Sequence, residues 1–309
     1  MAFDLIPFKE SWVVGPQDTE FYTRTYDVHP ALPRPQAHII YVHGHSEHIG
    51  RYELTFPQWT ARGISVFAFD QRGFGRTVHD RWHNVATKGE ELSEALIEER
   101  YSVSSWEQQM NDLAFFIRRE KDRVGDVPVF LVGYSMGGGA SLSFPCRPHP
   151  HEGIVKLIKG IIAVSPSIGP GIKQGLLTAP DQGDTMDINW GLLSQFLSKD
   201  NRVSLAVRAD PFIKSVCHAG LAKDIWDNGA QLLGKHYDRW PEDLPVLVVH
   251  GSGDIITSYA DSKAFIEKLR ASDKRYSLIP GGFHELHHEP DGVGTNFINE
   301  CITWVITHA

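Results

Sequence analysis

Residues 129–139 read VFLVGYSMGGG, and the turn they imply organises the rest of the chain. Val129 to Val132 form an apolar run that suits a buried strand. Gly133-Tyr134-Ser135-Met136-Gly137 follows as a G-x-S-x-G pentapeptide, and the small residues after it open a helix-compatible stretch. A strand turning sharply into a helix leaves no room for side chains at the two glycines. It also lifts the central serine above the sheet edge and leaves the next amide free to donate. Ser135 is therefore a candidate nucleophile. Such a pentapeptide also arises as an ordinary turn; the flanking strand and helix give it chemical meaning.

The alternation continues in both directions. Apolar runs at 37–44 (AHIIYVHG), 64–70 (ISVFAFD), 127–134 (VPVFLVGY), 158–166 (IKGIIAVSP), 244–251 (LPVLVVHG) and 275–280 (RYSLIP) are each followed by a loop and a helical segment. Nearly continuous apolar strands suit a parallel sheet covered on both faces, so the pattern predicts an α/β fold with a mostly parallel central sheet flanked by helices. Trp106, Met110, Leu113 and Ile117 recur at helical spacing and form the expected sheet-facing stripe of one such helix. Residues 8–15 and 19–28 read as a leading antiparallel pair, and 294–307 as a closing helix.

Two segments interrupt this order. Residues 167–240 contain helical stretches such as WGLLSQFL and AKDIWDNGAQLLG but no strand-like run, so a helical cap is expected there, inserted in a core of residues 1–166 and 241–309. Residues 78–101 are polar and acidic, and predict a long loop with one helical turn that borders the site entrance without supplying catalytic groups.

With 309 residues, 41% of them hydrophobic and 22% charged, the chain can bury a substantial core. Lys plus Arg is 30 against Asp plus Glu at 38, a formal charge of −8 that excludes non-specific nucleic-acid binding. The three cysteines, Cys146, Cys217 and Cys301, are widely spaced and odd in number. They imply no disulfide framework and a reducing, cytoplasmic setting. The N-terminal residues lack the basic-then-apolar pattern of a secretory signal, and no unbroken apolar run approaches the roughly 18 residues of a spanning helix.

A serine needs a base, and the base a third group to hold its tautomer. In α/β-hydrolase sheets the chain order is serine, acid, histidine. Asp254 lies just beyond the strand in VLVVHGSGD, and His284 just beyond the strand in YSLIPGGFHE, both at carboxyl strand ends where such sheets keep their sites. Asp254 could instead be a turn residue and His284 a surface histidine; His287 and His288 are rival bases.

Two stretches imitate metal sites. His43-x-His45-x-Glu47-His48 comes within one acid of a ligand run of metallo-β-lactamase-like hydrolases, and HELHH at 284–288 matches the zinc motif HExxH. The second needs a helix that puts both histidines on one face, yet it is confined between Gly281-Gly282 and Pro290. The first needs further ligands on a two-sheet architecture that these alternating segments do not suggest. No metal and no cofactor is expected.

HGHSEHIGRY, GYSMGG, ADPFIKSVCHAGL, HGSGD and GGFHELHHE, in this order and spacing, resemble the monoglyceride lipases of the α/β-hydrolase superfamily, across roughly residues 20–308. The resemblance implies an α/β-hydrolase fold, a Ser135, Asp254 and His284 triad, and an oxyanion hole made by the backbone amides of His45 and Met136. It also makes the His43–His48 cluster an oxyanion loop whose backbone matters more than its imidazoles. Tyr134, where these lipases commonly carry histidine, the bulky His45 and the long 78–101 segment depart from the pattern.

The expected activity is hydrolysis of monoacylglycerol to fatty acid and glycerol through an acyl-enzyme; lysophospholipase, thioesterase or general esterase activity on the same fold is the alternative. A non-catalytic ligand-binding protein would normally lack part of the triad. Ile172, Leu176 and Leu177 in the cap are expected to meet the lipid substrate, and the cap's apolar residues could serve packing, an acyl tunnel or transient contact with a membrane or lipid droplet.

Overall fold

The computed structural model describes residues 8–32, 34–79, 93–147, 152–169, 177–178 and 184–309. The chain runs through strands β1 (Phe8–Val14), β2 (Glu20–Tyr26), β3 (Ala37–Val42), β4 (Ile64–Phe69), β5 (Val129–Tyr134) and β6 (Ile158–Val164). It continues through β7 (Leu177–Thr178), β8 (Thr185–Ile188), β9 (Val216–His218), β10 (Val246–Gly251) and β11 (Lys274–Ile279). Eight of these form one sheet in the order β1-β2-β4-β3-β5-β6-β10-β11. β1 and β2, and β2 and β4, pair antiparallel, and every other neighbouring pair is parallel.

Both faces are covered, as the continuous apolar runs require. Successive side chains of a strand point to opposite faces, and the core divides accordingly. Ile40, Val42, Val129, Leu131, Val246 and Val248 pack on one side with the helices Trp106–Val124, Met136–Ser143 and Tyr259–Lys268. Ile39, Tyr41, Phe130, Val132, Leu247 and Val249 pack on the other with the helices Phe56–Thr60 and Val293–His308. The predicted stripe Trp106, Met110, Leu113 and Ile117 is buried in the first of these layers. Ser105 begins its helix with a reciprocal capping box to Gln108, and Gly125 ends it at φ 61°.

The segment between β6 and β10 departs from the expected all-helical insertion. β7, β8 and β9 form a separate three-stranded antiparallel sheet. Strands of two to four residues are too short to show the alternation by which a strand is recognised. Met186, Ile188, Leu193, Leu197, Val207 and Cys217 form a small core of their own there. The later helix, Ala219–Gly234, bridges two layers: Leu221, Ile225 and Leu232 join the main core, while Ala222 joins the small one.

Most of the acidic 78–101 segment lies outside the described residues. Its end forms the helix Glu94–Arg100, two turns where one was expected, because Ser93 caps the Leu96 amide and Ile97 has a core to enter. Glu94 pairs with Lys214, and the Tyr101 hydroxyl donates to the Phe212 carbonyl 3.3 Å away, so this end rests on the inserted segment.

Gly160 of β6 shows how closely the closing helix packs on the sheet. A Cβ there would lie 2.7 Å from the Trp304 ring and 3.2 Å from Phe130. Overpacking of this kind costs roughly 1–3 kcal/mol, so Gly160→Ala should lower the unfolding midpoint in a denaturant titration while leaving the slope unchanged.

Candidate active site

Ser135 stands between β5 and the helix Met136–Ser143 at φ 53°, ψ −116°, a conformation that side chains other than glycine rarely adopt. Its surroundings hold it there. The Ser135 amide donates to the Val164 carbonyl, and its own carbonyl accepts from the Gly139 and Ser167 amides, all at 2.9 Å. Both motif glycines are required by close approach. A Cβ on Gly133 would overlap the Gly137 carbonyl and the Ser141 hydroxyl, and one on Gly137 would overlap the carbonyl oxygens of Val42 and His43. Met136 is the first residue of its helix, so its amide has no acceptor within that helix.

The loops after β10 and β11 bring two further groups to this serine. His284 Nε2 lies 3.0 Å from Ser135 Oγ, and His284 Nδ1 lies 2.7 Å from Asp254 Oδ2. An ionised carboxylate only accepts, so Nδ1 carries the proton and Nε2 is left to accept from the serine hydroxyl. Burial alone would push the Asp254 carboxyl up; His284, with hydrogen bonds from His250 and His284, holds it well below the usual carboxylate range. Its Oδ1 also accepts from the amides of Ile256 at 2.8 Å and Thr257 at 3.1 Å. The three residues are buried or nearly so, and His287 and His288 stand outside this chain of contacts.

The histidine-rich loop 43–48 is held by hydrogen bonds, each imidazole with a partner of its own. His43 accepts from the Gln71 amide at 2.8 Å and donates to the Gly44 carbonyl at 2.7 Å; burial pushes it down to about 3, so it is neutral. His45 lies 2.8 Å from Ser46 Oγ and 3.2 Å from Cys217 Sγ, and burial pushes it down to about 4. His48 accepts from the Gly50 amide and donates to Asp210 of the inserted segment at 2.9 Å. Glu47 accepts from Tyr52 at 2.7 Å and from Arg51 at 2.8 Å.

HELHH is equally committed. Only Leu286–His288 is helical, and that as a single 3-10 turn, so the HExxH geometry does not form. Glu285, His287 and His288 bring ligand atoms within 4.8 Å of one another. The Glu285 carboxylate is nevertheless clamped by both terminal nitrogens of Arg51, at 2.6 and 2.8 Å, and accepts from His288 Nδ1 at 2.7 Å. A dication there would have to displace an arginine and sit beside its charge. The residues do not fit a metal.

One cavity carries Ser135, His284, His45 and Met136 in its wall, and the rest of that wall is mostly apolar, including Ile188, Leu193, Leu197, Val207, Ile213 and Trp226. About 90 Å³ of it is open to the centre of a water molecule, several times what one water needs. The inserted segment therefore roofs the serine. Of the three residues expected to meet substrate, Ile172 and Leu176 lie outside the described residues and Leu177 is placed only as the first residue of β7.

The chain matches the serine aminopeptidase S33 (Hydrolase_4) family over residues 33–291. It belongs to this family of hydrolases. Its relatives include the monoglyceride lipase of Rattus norvegicus, 30% identical over 278 residues that cover 88% of this chain and 82% of the relative. The monoacylglycerol lipase of Mycolicibacterium smegmatis is 24% identical and covers 92% of each chain. Among solved structures, a soluble variant of the monoglyceride lipase of Saccharomyces cerevisiae with a substrate analogue superposes with a TM-score of 0.77 at 20% identity, covering 98% of this chain and 95% of that one. As in the α/β-hydrolase fold generally, the parallel sheet here carries Ser135 at a strand-to-helix turn.

Sequence reasoning did not single out His250, Thr257, or Arg51 and Glu285 as a pair. His250 lies four residues before Asp254 inside the same quoted run, and that spacing was the available signal. Arg51 and Glu285 are 234 positions apart, and nothing local joins them.

Asp254→Asn should lower turnover by roughly four orders of magnitude, because an amide favours the wrong His284 tautomer. Ser135→Ala should abolish turnover with the fold retained by circular dichroism. His288→Ala should cost far less than His284→Ala in the same esterase assay; equal collapse of both would remove His284 from its place as base.

Proposed function

We propose that this chain is a serine carboxylester hydrolase that cleaves monoacylglycerols to fatty acid and glycerol. The observation that carries the reading is the continuous set of contacts Asp254–His284–Ser135 opening into a slot walled by apolar side chains. In the acylation step Ser135 Oγ attacks the ester carbonyl while His284 Nε2 takes its proton. The carbonyl oxygen becomes an oxyanion received by the amides of His45 and Met136, each contributing about 3 kcal/mol to the transition state. His284 then returns the proton to the departing glycerol oxygen, and the acyl group stays on Ser135. Water, deprotonated by the same imidazole, attacks the acyl-enzyme; the bond to Ser135 Oγ breaks, His284 returns the proton to that oxygen, and the fatty acid is released. Asp254 stays ionised throughout and stabilises the imidazolium.

The apolar wall supports an acyl chain over a peptide. An aminopeptidase must hold the ammonium of a peptide N-terminus, which calls for a carboxylate with no other cation. Glu47 and Glu285 are the carboxylates of the described wall, and Arg51 binds both, at 2.8 and 2.6 Å. The rat and M. smegmatis relatives, named as lipases of monoacylglycerol, support the same choice.

The reading extends to where the substrate is met. Leu192 and Leu205 of the inserted segment are 44% and 58% exposed, and burying such surface in lipid is favourable by ~25 cal/mol per Å². We place the enzyme in the cytoplasm, touching membranes or lipid droplets transiently through this segment. The three described cysteines, all unpaired and buried, agree with a reducing compartment. Among the described residues no helix is long and apolar enough to cross a membrane.

A fluorophosphonate should add to Ser135 stoichiometrically, and a panel of monoacyl, diacyl and triacyl glycerols, thioesters and short nitrophenyl esters should show highest kcat/KM for monoacylglycerols. Absence of monoacylglycerol turnover beside brisk thioester or lysophospholipid turnover would replace the substrate. Incubation with a strong chelator should leave the rate unchanged.

Paired Leu192→Asp and Leu205→Asp substitutions should weaken binding to neutral liposomes and slow hydrolysis of long-chain substrate, with the rate on a short soluble ester retained. Equal loss on both substrates would make these leucines packing residues.

A further inference from the structure

Asp254 faces two histidines. His284 Nδ1 approaches Oδ2 at 2.7 Å, and His250 Nε2 approaches the same oxygen at 3.0 Å. A carboxylate oxygen offers two lone pairs in its plane. The third candidate, the Thr257 hydroxyl, lies 2.9 Å from Oδ2, but its single proton is also within reach of the Ser165 carbonyl at 3.1 Å. The Thr257 oxygen also lies 3.2 Å from His250 Nε2, so the hydroxyl shares this corner with the two imidazoles, each of which has Oδ2 as its nearest acceptor.

His250 is built for this contact. It is fully buried at the end of β10, four residues before the acid. Its Nδ1 lies 2.9 Å from the Ser262 hydroxyl of the helix Tyr259–Lys268. Because the carboxylate only accepts, Nε2 carries the proton; Nδ1 then accepts, and Ser262 donates to it. Ser262 is itself fully buried, so no water can replace it or change the tautomer it imposes. An apolar side chain of the same volume would fill the space; only a donor meets the carboxylate oxygen from that side.

We propose that His250 is a positioning residue for the catalytic acid, which fixes the Asp254 carboxylate in the orientation that receives His284. The inference rests on the triad reading above. A buried acyl-transfer triad tolerates little rotation of its acid, because a carboxylate free to swing Oδ2 about its amide-bound Oδ1 would loosen the imidazole it orients. With His250 in place, Oδ1 is held by two backbone amides and Oδ2 by two imidazoles, and rotation breaks contacts on both sides. Two series of donors, Ser262 to His250 and Ser135 to His284, then converge on the Asp254 carboxylate.

Methionine and glutamine test this, being close in shape and differing in the ability to donate. His250→Met should lower kcat about ten-fold or more on a short nitrophenyl ester, as expected for loss of a hydrogen bond to a charged group, with KM within about two-fold because the slot is untouched. His250→Gln, whose amide nitrogen reaches the same oxygen, should recover activity to within about three-fold of the parent. In an Asp254→Asn background the Met substitution should add almost nothing, since the two act as a unit. Equal activity of His250→Met and parent, equal loss in Met and Gln variants, or full additivity with Asp254→Asn would each overturn the inference. Should His250→Met fail to fold by circular dichroism, Ser262→Ala reads the same coupling through a kcat loss at unchanged KM, and an unchanged kcat would overturn it. The parent protein's own turnover of monoacylglycerol, measured alongside, separates failure of this inference from failure of the functional reading.

Discussion

The structure depends on a contact between backbones: the turn after β5 lies so close to the end of β3 that Gly137 touches the carbonyls of Val42 and His43. That approach is possible only without a Cβ, and two residues before it Ser135 takes a positive φ. Strain of this sort, on the order of 1–3 kcal/mol, survives only where neighbours over-determine the conformation. Here the end of β6 and the loop after it do so, through the Val164 carbonyl and the Ser167 amide. The same approach brings the 43–48 loop to the serine, so Ser135 and the amides proposed to receive the oxyanion share one cause.

A second constraint is electrostatic. Glu47 and Glu285 are both buried and share Arg51. Glu285 has the better of it: burial would raise its carboxyl, but Arg51, in bidentate contact, and His288 hold it well below the ordinary range. Burial pushes Glu47 up despite the same guanidinium. Charges so placed contribute little net stability, yet removing one partner strands the others. Arg51 thereby joins the loop before the first helix to the loop bearing His284, and the Glu285 amide donates to Leu197 of the inserted segment at 2.7 Å. The 43–48 loop, the loop bearing His284 and the roof are thus held in a common frame.

Much of this was legible in the residues because the relevant physics is local. The central strands announce themselves by unbroken apolar runs, a direct result of burial on both faces. Ser135 and Asp254 each follow such a run, and His284 follows the more exposed edge strand β11, all three where a parallel sheet exposes its carboxyl ends. HELHH was readable as too short for a zinc helix, and the described turn spans only three residues. Illegible features have short or distant causes. β7 to β9 are too brief for any periodicity. The exchange between His48 and Asp210 links positions 162 apart, and the two-sided grip on Asp254 arises only when β10, its loop and the helix after it are folded together. Hydrogen-bond partnership across a fold leaves no periodic trace.

The inserted segment enters after β6 and leaves before β10, two strands that are themselves paired in register, Val246 beside Ile161 and Val249 beside Val164. Because the two strands are parallel, its ends are anchored at opposite ends of adjacent strands, a separation fixed by the sheet whatever lies between them. Closing a longer or shorter excursion over that gap changes the free energy slowly, by only about 0.6 kcal/mol per doubling of length, and leaves the sheet undisturbed. Evolution can thus exchange the roof without rebuilding the machinery beneath it. Lineages sharing the sheet and its serine are free to diverge in diet while remaining alike in chemistry.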